Sequence, residues 1–262
     1  MSDDATQAIR SPLPFAHRVN IVATDEPFRW LAAGWRDFRA AAPISIAHGL
    51  IFVASGFVLT FGLERAGLVY LIAPLIAGFL LVGPALTVGF YAISRELEAG
   101  RTPTFAATLT AWRGNPGALA GLGLMQVLFL IVWMRFAVLI FALCFPSTTL
   151  DARALLNAAL FTADGWTFLA VGSIVGGCMA TLAFAFGAFS LPLMLDGKVG
   201  LLEAVVTSAV AVVLNARAMA VWGGLVVLFT AAGLAVGYVG LVVTLPLVGH
   251  ATWHAYRAVL RG

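Results

Sequence analysis

The strongest candidates for chemistry in this sequence are two histidines near its end, His250 and His254. They stand four positions apart and therefore share one face of a helix, a spacing with which two imidazoles can hold one metal ion. Hydropathy places His48 at a similar depth, and Asp196 or Glu96 could add a carboxylate. The pattern predicts a transition-metal or haem site at the three histidines, and the alternative is that they form only structural hydrogen bonds.

A second candidate is Arg135, the only charged residue well inside a predicted membrane span. A charge in that position costs at least about 2.5 kcal/mol unless it is paired or reaches the interface. Asp151 and Asp164 follow in the next connection and would make a structural clamp, whereas an unpaired Arg135 would contact a substrate or a lipid headgroup. Gln126, roughly two and a half turns earlier, is predicted to line the same bundle interior.

The common catalytic motifs are missing from the sequence. It contains no phosphate-binding glycine loop with its lysine, no HExxH and no GxSxG, and most hydrolases and kinases need at least one of these. Cys144 and Cys178 are the only cysteines, without the CxxC spacing of a redox or metal site. We therefore expect a protein that is not an enzyme and has no assigned cofactor.

The composition places these residues in a membrane protein. The chain has 262 residues, of which 61% are hydrophobic and 10% charged, whereas a soluble domain has roughly 25% charged residues. The formal net charge is +3, but the lysines and arginines are scattered and form no basic face for nucleic acid. Membrane lipids, and other membrane proteins, are the expected partners.

Six segments are long and apolar enough to cross a bilayer, for which about 20 residues are needed. Residues 1–26 are predicted to be a polar, flexible segment, and residues 27–262 a single membrane domain. The expected fold class is all-α, a polytopic helical bundle. The predicted spans are 43–63, 66–94, 117–143, 165–195, 216–236 and 237–257.

The distribution of positive charge predicts the orientation, because short cytoplasmic loops are rich in lysine and arginine. Only Arg65 and Arg153 fall on one side of the predicted bundle, and twelve fall on the other. Both termini are therefore expected in the cytoplasm and the protein in the bacterial inner (plasma) membrane. The twelve are Arg10, Arg18, Arg29, Arg36, Arg39, Arg95, Arg101, Arg113, Lys198, Arg217, Arg257 and Arg261.

Three amphipathic segments on the same side are predicted to be helices that lie in the membrane interface. They are a stripe that includes Phe28 and Phe38, a segment after Pro103, and residues 201–214, with Thr207 and Ser208 at wetter positions. The alternative is that they pack on the bundle as ordinary loop helices. The expected interfacial anchors are Trp30, Trp35, Trp112, Arg95 and Arg257.

A weak internal repeat accompanies these segments. Pro84 and Pro246 are each followed after eleven positions by an arginine, Arg95 and Arg257, and Pro192 marks a third such helix. The repeat predicts three hairpins of two spans each. Repeats of this kind are frequent in transporters, although fold symmetry does not establish transport.

Several segments resemble bacterial integral membrane proteins grouped as domain of unknown function family 2189. The resemblance extends over about residues 25–260, with the C-terminal segment as its most specific part. It implies a membrane location and no established activity. The segments are Gly34 to Asp37 (GWRD), Pro84 to Gly100 (PALTVGFYAISRELEAG), Ser190 to Lys198 (SLPLMLDGK) and Leu245 to Arg257 (LPLVGHATWHAYR).

Some members of that family are labelled as cytochrome c oxidase subunit I-like proteins. A haem–copper core needs about six histidines, whereas this chain has four, so the label cannot apply to it as a catalytic core. Three hypotheses follow. The first is a non-enzymatic structural, accessory or regulatory membrane module, the second a small-molecule transporter or carrier, and the third a metal- or haem-binding redox accessory protein.

Overall fold

The protein is described by a computed structural model that covers residues 12–72, 74–76, 78–79, 87–145 and 152–261. Within these residues all regular secondary structure is helical, apart from one isolated bridge between Val19 and Leu260. The all-α prediction is confirmed. The α-helices are α1 (Glu26–Ala40), α2 (Ala42–Arg65), α3 (Val88–Glu98), α4 (Phe105–Thr110), α5 (Pro116–Cys144), α6 (Ala152–Phe161), α7 (Ala163–Gly187), α8 (Ser190–Asp196), α9 (Leu201–Leu214), α10 (Ala216–Ala235) and α11 (Leu241–Val259).

Four stretches of the described chain are long and apolar enough to cross a membrane: α2, α5, α10 and the continuous stretch Ala163–Asp196 of α7 and α8. They coincide with four of the six predicted spans. The sixth predicted span corresponds to α11, whose polar end lowers its hydropathy. The predicted span 66–94 lies partly outside the described residues, and so does Pro84 of the repeat. The six-span count is therefore supported for four spans.

Both ends of the described chain lie on the same side of the bundle. The backbone N–H of Asn20 donates to the carbonyl of Val259 at 2.8 Å, and that of Arg261 donates to Arg18 at 2.9 Å. We call this side the terminal end and the opposite side the far end. Residues 12–26, which the sequence analysis assigned to a flexible segment, are packed here, with Ala16 and Val19 buried.

Prolines explain where several helices begin. Pro27, Pro43 and Pro116 stand in the first turns of α1, α2 and α5, where the missing N–H costs no intrahelical hydrogen bond. The last helix, α11, contains Pro246 in its interior, which is tolerated in membranes when neighbouring helices satisfy the freed carbonyl.

The central element is α11, which packs against α1, α2, α3 and α10. Its terminal half is buried on nearly every side, and Trp253 and Tyr256 contribute to the largest hydrophobic cluster of the protein. The helices α5 and α7 pack against each other and form a smaller hydrophobic cluster around Trp133. Most of the remaining apolar surface of these two helices is exposed. The core therefore lies near the terminal end, around α11.

The three predicted interfacial segments are helical, and two of them are packed more deeply than an interfacial position requires. The inner face of α1 packs along α11. In α9, Thr207 and Ser208 are buried, contrary to their assignment as wetter positions. The Ser208 hydroxyl donates to the carbonyl of Ala185 at 2.8 Å and accepts from the N–H of Phe189 at 3.0 Å, so it serves the backbone where α7 passes into α8.

Candidate functional site

His250 lies at the centre of the terminal-end core, between two buried hydroxyl groups. Its Nε2 is 2.9 Å from the Oγ of Ser45 on α2, and its Nδ1 is 2.9 Å from the Oγ of Ser94 on α3. All three residues are buried, with His250 0% exposed. One imidazole thus joins α2, α3 and α11 through hydrogen bonds. Losing them would leave buried polar groups without a partner, which costs free energy.

Glycines bring these helices close enough for such contacts. A Cβ on Gly34 of α1 would lie 2.6 Å from the backbone nitrogen of Ala251, and one on Gly49 of α2 would lie 2.8 Å from the carbonyl oxygen of Val242. Real Cβ atoms do not approach backbone atoms so closely, so only glycine fits here. The two glycines set the spacing of α1 and α2 from α11.

Asp37 and His254 extend the polar contacts from the core toward the surface. The Nε2 of His254 lies 2.8 Å from the Oδ2 of Asp37, and Asp37 also forms a side-chain hydrogen bond with Ser94. Partial burial raises the pKa of Asp37, but these hydrogen bonds and the charge of His254 outweigh burial and hold that pKa below its ordinary value.

The proton positions along this network follow from the chemistry of its members. An ionised Asp37 only accepts, so Ser94 donates to it. With Ser94 as a donor to Asp37, we infer that its oxygen accepts from the Nδ1–H of His250 and that the Nε2 of His250 accepts from Ser45. A serine hydroxyl that donates to an imidazole is the arrangement found at a nucleophilic serine. Ser45 is completely buried, however, so no substrate can reach it. The network is therefore structural in this conformation.

His48 occupies a separate, mostly aromatic environment. Its ring packs edge-on against Phe90 and Phe105, with ring centroids 5.5 and 5.3 Å away, and its Nδ1 is 3.5 Å from the hydroxyl of Thr108. The ring of Phe90 also packs against His250, at 5.6 Å. The structure thus brings His48 and His250 onto the same phenyl ring and not onto a common ligand position.

Among the described residues, no three His, Cys, Asp or Glu side chains are grouped as a metal site requires. The two carboxylates proposed as additional ligands are engaged elsewhere. Glu96 forms an ion pair with Arg101 at 2.6 Å, and Asp196 accepts from Tyr256 at 2.9 Å. The metal or haem site at His48, His250 and His254 stays a prediction, without support from this geometry.

A set of carboxylate contacts clamps the last turns of α11. Glu98 accepts from the indole N–H of Trp253 at 2.9 Å and from Arg257 at 3.0 Å. Arg257 also lies 3.4 Å from Asp196, and Arg95 donates to the carbonyl of Leu195 at 2.7 Å. The two arginines predicted as interfacial anchors therefore join α3, α8 and α11 to one another.

The structure places Arg135 and Gln126 on different surfaces of α5. Arg135 is exposed and faces away from the bundle, whereas Gln126 is 2% exposed and lies inside it. Asp164 is also exposed and forms no ion pair with Arg135 in the described part of the chain; Asp151 lies outside that part. Arg135 and Gln126 do not share a site, because they point in different directions from α5.

The three predicted tryptophan anchors also differ from one another. Trp30 is 3% exposed and packs edge-on against Trp222, with ring centroids 5.8 Å apart, so it belongs to the core and not to the interface. Trp35 and Trp112 are 41% and 49% exposed. Their anchoring role stays a prediction that their exposure permits.

No pattern in the sequence predicts one cavity of the described structure. It has a volume of about 340 Å³ and lies at the far end, between α2 and the start of α11. Tyr238, in the turn that precedes α11, lines it and hydrogen bonds to Thr60 at 2.8 Å. Glycines at positions 233, 237 and 240 are typical of a tight turn between helices, and this pattern carries no information about a cavity.

Comparison with known proteins agrees with the membrane assignment. Residues 71–196 match the model of the family described as "Predicted integral membrane protein (DUF2189)". No curated protein and no solved structure matches the chain. The match stops before α11, so the C-terminal segment that carried the most specific part of the resemblance lies outside it. Over residues 71–196 the chain is therefore similar to a family of predicted integral membrane proteins.

Proposed function

We propose that this chain is a non-enzymatic accessory module of the bacterial inner membrane, with its terminal end in the cytoplasm, that binds and organises anionic lipid headgroups. The observation that carries the proposal is a rim around the terminal end, made of cations without a described ion-pair partner and of exposed aromatic side chains. We call it the terminal rim. It comprises Trp35, Arg36, Arg39, Trp112, Arg113 and Arg217.

The arginines of the terminal rim differ from several nearby arginines, because they have no ion-pair partner among the residues that the structure describes. Arg36, Arg39, Arg113 and Arg217 are exposed, and none lies within ion-pair distance of a described carboxylate. By contrast, Arg18 is paired with Glu203 at 2.7 Å. The free guanidinium groups can therefore bind phosphates of the membrane surface.

Aromatic residues complete this surface. Trp35 and Trp112 are exposed beside the free arginines, and the guanidinium of Arg113 lies over the ring of Trp112, 5.8 Å from its centroid. Tryptophan prefers the headgroup level of a bilayer, and each cation near an anionic leaflet adds about 1 kcal/mol of attraction. The combination supports a headgroup-binding surface on the cytoplasmic leaflet.

The buried network favours this role over catalysis. Ser45, Ser94 and His250 are enclosed, and the carboxylates Glu98 and Asp196 hold α11 in place. These residues form the rigid scaffold on which the terminal rim is displayed. The transporter and the metal or haem hypotheses stay predictions, since no contact described here favours either.

Native mass spectrometry from mixed micelles of phosphatidylglycerol and phosphatidylethanolamine tests the proposal. The double variant Arg36→Gln/Arg113→Gln should weaken retention of phosphatidylglycerol by about 30-fold, because two cations together contribute about 2 kcal/mol. Retention of the zwitterionic lipid should not change.

The matched control is Arg29→Gln/Arg101→Gln, which removes the same charge from the same end but takes arginines already paired with Glu26 and Glu96. We expect this control to reduce retention far less. An equal loss in both double variants would mean that net charge alone attracts the lipid, and it would overturn the headgroup site at the terminal rim.

A further inference from the structure

The far end of the bundle contains a cavity that the headgroup proposal does not use. It lies along one face of α2, from Ile51 to Leu63, and its other wall includes Leu234 and Leu241. Its volume of about 340 Å³ falls within the range of about 300–1,000 Å³ that is usual for small-molecule sites. The lining is apolar except for a few hydroxyl groups.

The position of the cavity indicates what is available to fill it. The segment Ile51 to Leu63 belongs to the membrane-spanning helix α2, and its thirteen residues extend over about 18 Å at about 1.5 Å per residue. This length is close to one leaflet of the hydrocarbon core, about 15 Å, half of its thickness of about 30 Å. A lipid acyl chain has the length and the apolar character that the cavity requires.

The mouth of the cavity is built around a strained residue. Tyr238 has a backbone φ of 68°, which is rare for a residue with a side chain and costs energy that the surrounding structure must offset. Its ring packs edge-on against Phe57, with centroids 5.5 Å apart, and lies over Gly56, where a Cβ would be 3.2 Å from the ring. The strained backbone holds the phenol against α2.

The hydroxyl groups at this mouth retain a free donor. Thr60 and Tyr238 are 2.8 Å apart and share one hydrogen bond, in which either can donate. Two hydroxyls carry two hydrogens and only one is used between them, so the other can donate to a carbonyl oxygen. An ester carbonyl at the top of an acyl chain would meet this donor.

We propose that the far-end cavity binds one acyl chain of a phospholipid from the adjacent leaflet, with its ester carbonyl at the Thr60–Tyr238 pair. The site is separate from the terminal rim, so it stands or falls independently of the headgroup proposal. The ligand lies along α2 from the hydroxyl pair toward Phe52, in the interior of the span.

Photo-crosslinking with a phosphatidylethanolamine that carries a diazirine on one acyl chain tests this site in the full-length protein. The adducts, mapped by mass spectrometry, should concentrate on the cavity face of α2 and on Leu241. Ser55 lines the cavity, so Ser55→Phe should fill it and lower the adduct yield by about tenfold, the size of change that ordinary overpacking produces.

Val58→Phe is the matched control, because Val58 is on the same helix, 74% exposed, and not part of the cavity wall. It should leave the adduct yield unchanged. Leu59→Phe, which alters a second cavity residue, should repeat the loss and guards against a folding defect specific to Ser55→Phe. Adducts spread evenly around α2, or a yield that both cavity variants leave intact, would overturn the site.

Discussion

The same two helices, α2 and α11, meet in opposite ways at the two ends of the bundle. At the terminal end Ser45 and His250 are in direct hydrogen-bond contact and fully buried. At the far end a cavity borders α2 and the start of α11, and its polar contact, Thr60 with Tyr238 in the preceding turn, is only partly buried. Gly49 lets α2 approach α11 closely at Val242, but Gly56 lines the cavity, so the position of glycines alone does not decide which end is closed.

This difference indicates which end of the protein is the more rigid. The terminal end receives support from α1 and α3, and its polar groups form one connected network. Polar networks of this kind stabilise a unique arrangement only when every member is satisfied. The far end has isolated hydrogen bonds and space between helices, which suits a region that exchanges contacts with lipid.

The largest test of this contrast is His250→Ala. The substitution leaves the hydroxyls of Ser45 and Ser94 without their shared partner and opens a cavity, which together should cost about 4 kcal/mol of unfolding free energy. The measurement is unfolding in mixed micelles by titration with denaturing detergent. His17→Ala, at an exposed position, is the control, and a loss below about 1 kcal/mol for His250→Ala would show that the network contributes little.

A smaller effect is expected from Gly34→Ala. The added Cβ would be 2.6 Å from the backbone of Ala251, so α1 must move away from α11, at up to about 3 kcal/mol. In Gly62→Ala, where a Cβ meets no atom within 4 Å, the gain in helix propensity should instead stabilise slightly. Thermal unfolding of both purified variants checks the prediction, which fails if the two glycines respond alike.

The acid sensitivity of the terminal end is the third test. Because the folded pKa of Asp37 lies below its unfolded value of 3.8, its stabilisation is present above about pH 4 and is lost as the pH falls through the folded pKa. Asp37→Asn should lower the free energy of unfolding by about 2 kcal/mol at neutral pH, the size of a charge-assisted hydrogen bond. It should also make the stability of the protein less dependent on pH in the acid range.

Melting temperatures recorded from pH 7 to pH 3 measure this effect. Asp25→Asn is the matched control, because Asp25 is exposed and precedes the same helix. If Asp25→Asn flattened the acid profile as much as Asp37→Asn, the stabilisation would come from net charge and not from the contact with His254.

The smallest effect is expected at the far end, from Tyr238→Phe. The variant removes one partly buried hydrogen bond to Thr60, which is worth about 1 kcal/mol, and leaves the ring packing in place. Tyr70→Phe gives a comparison near the same end. An effect as large as that of His250→Ala would contradict the contrast between the two ends.

The helices are largely predictable from the sequence, because hydropathy and helix-start signals are local. The four-residue spacing of His250 and His254 also marks them as unusual residues. Their partners were missed because Ser45, Ser94 and Asp37 lie 156 to 217 positions away, and one sequence carries no record of such contacts. A pattern of polar residues at a common depth indicated proximity but could not distinguish a ligand set from a hydrogen-bonded network.

The same limit explains two other differences. Amphipathicity located α1 but could not show which of its faces meets protein, so Trp30 was assigned to the interface although it packs on Trp222. Arg135 was expected near the bundle interior because its depth is local information, whereas the direction it faces depends on how α5 packs against α7. The far-end cavity is a space that no side chain fills, and sequence patterns carry little information about such spaces.

The central position of α11 has a consequence for how the protein is made. It leaves the ribosome after α1, α2 and α3, yet all three pack against it. During synthesis Ser45 and Ser94 are therefore made before His250, and the terminal-end core can form only after α11 has been inserted. Assembly is thus governed by contacts of long sequence separation, which slow folding, and a chain that ends before α11 would present those unsatisfied faces to the membrane's quality-control proteases.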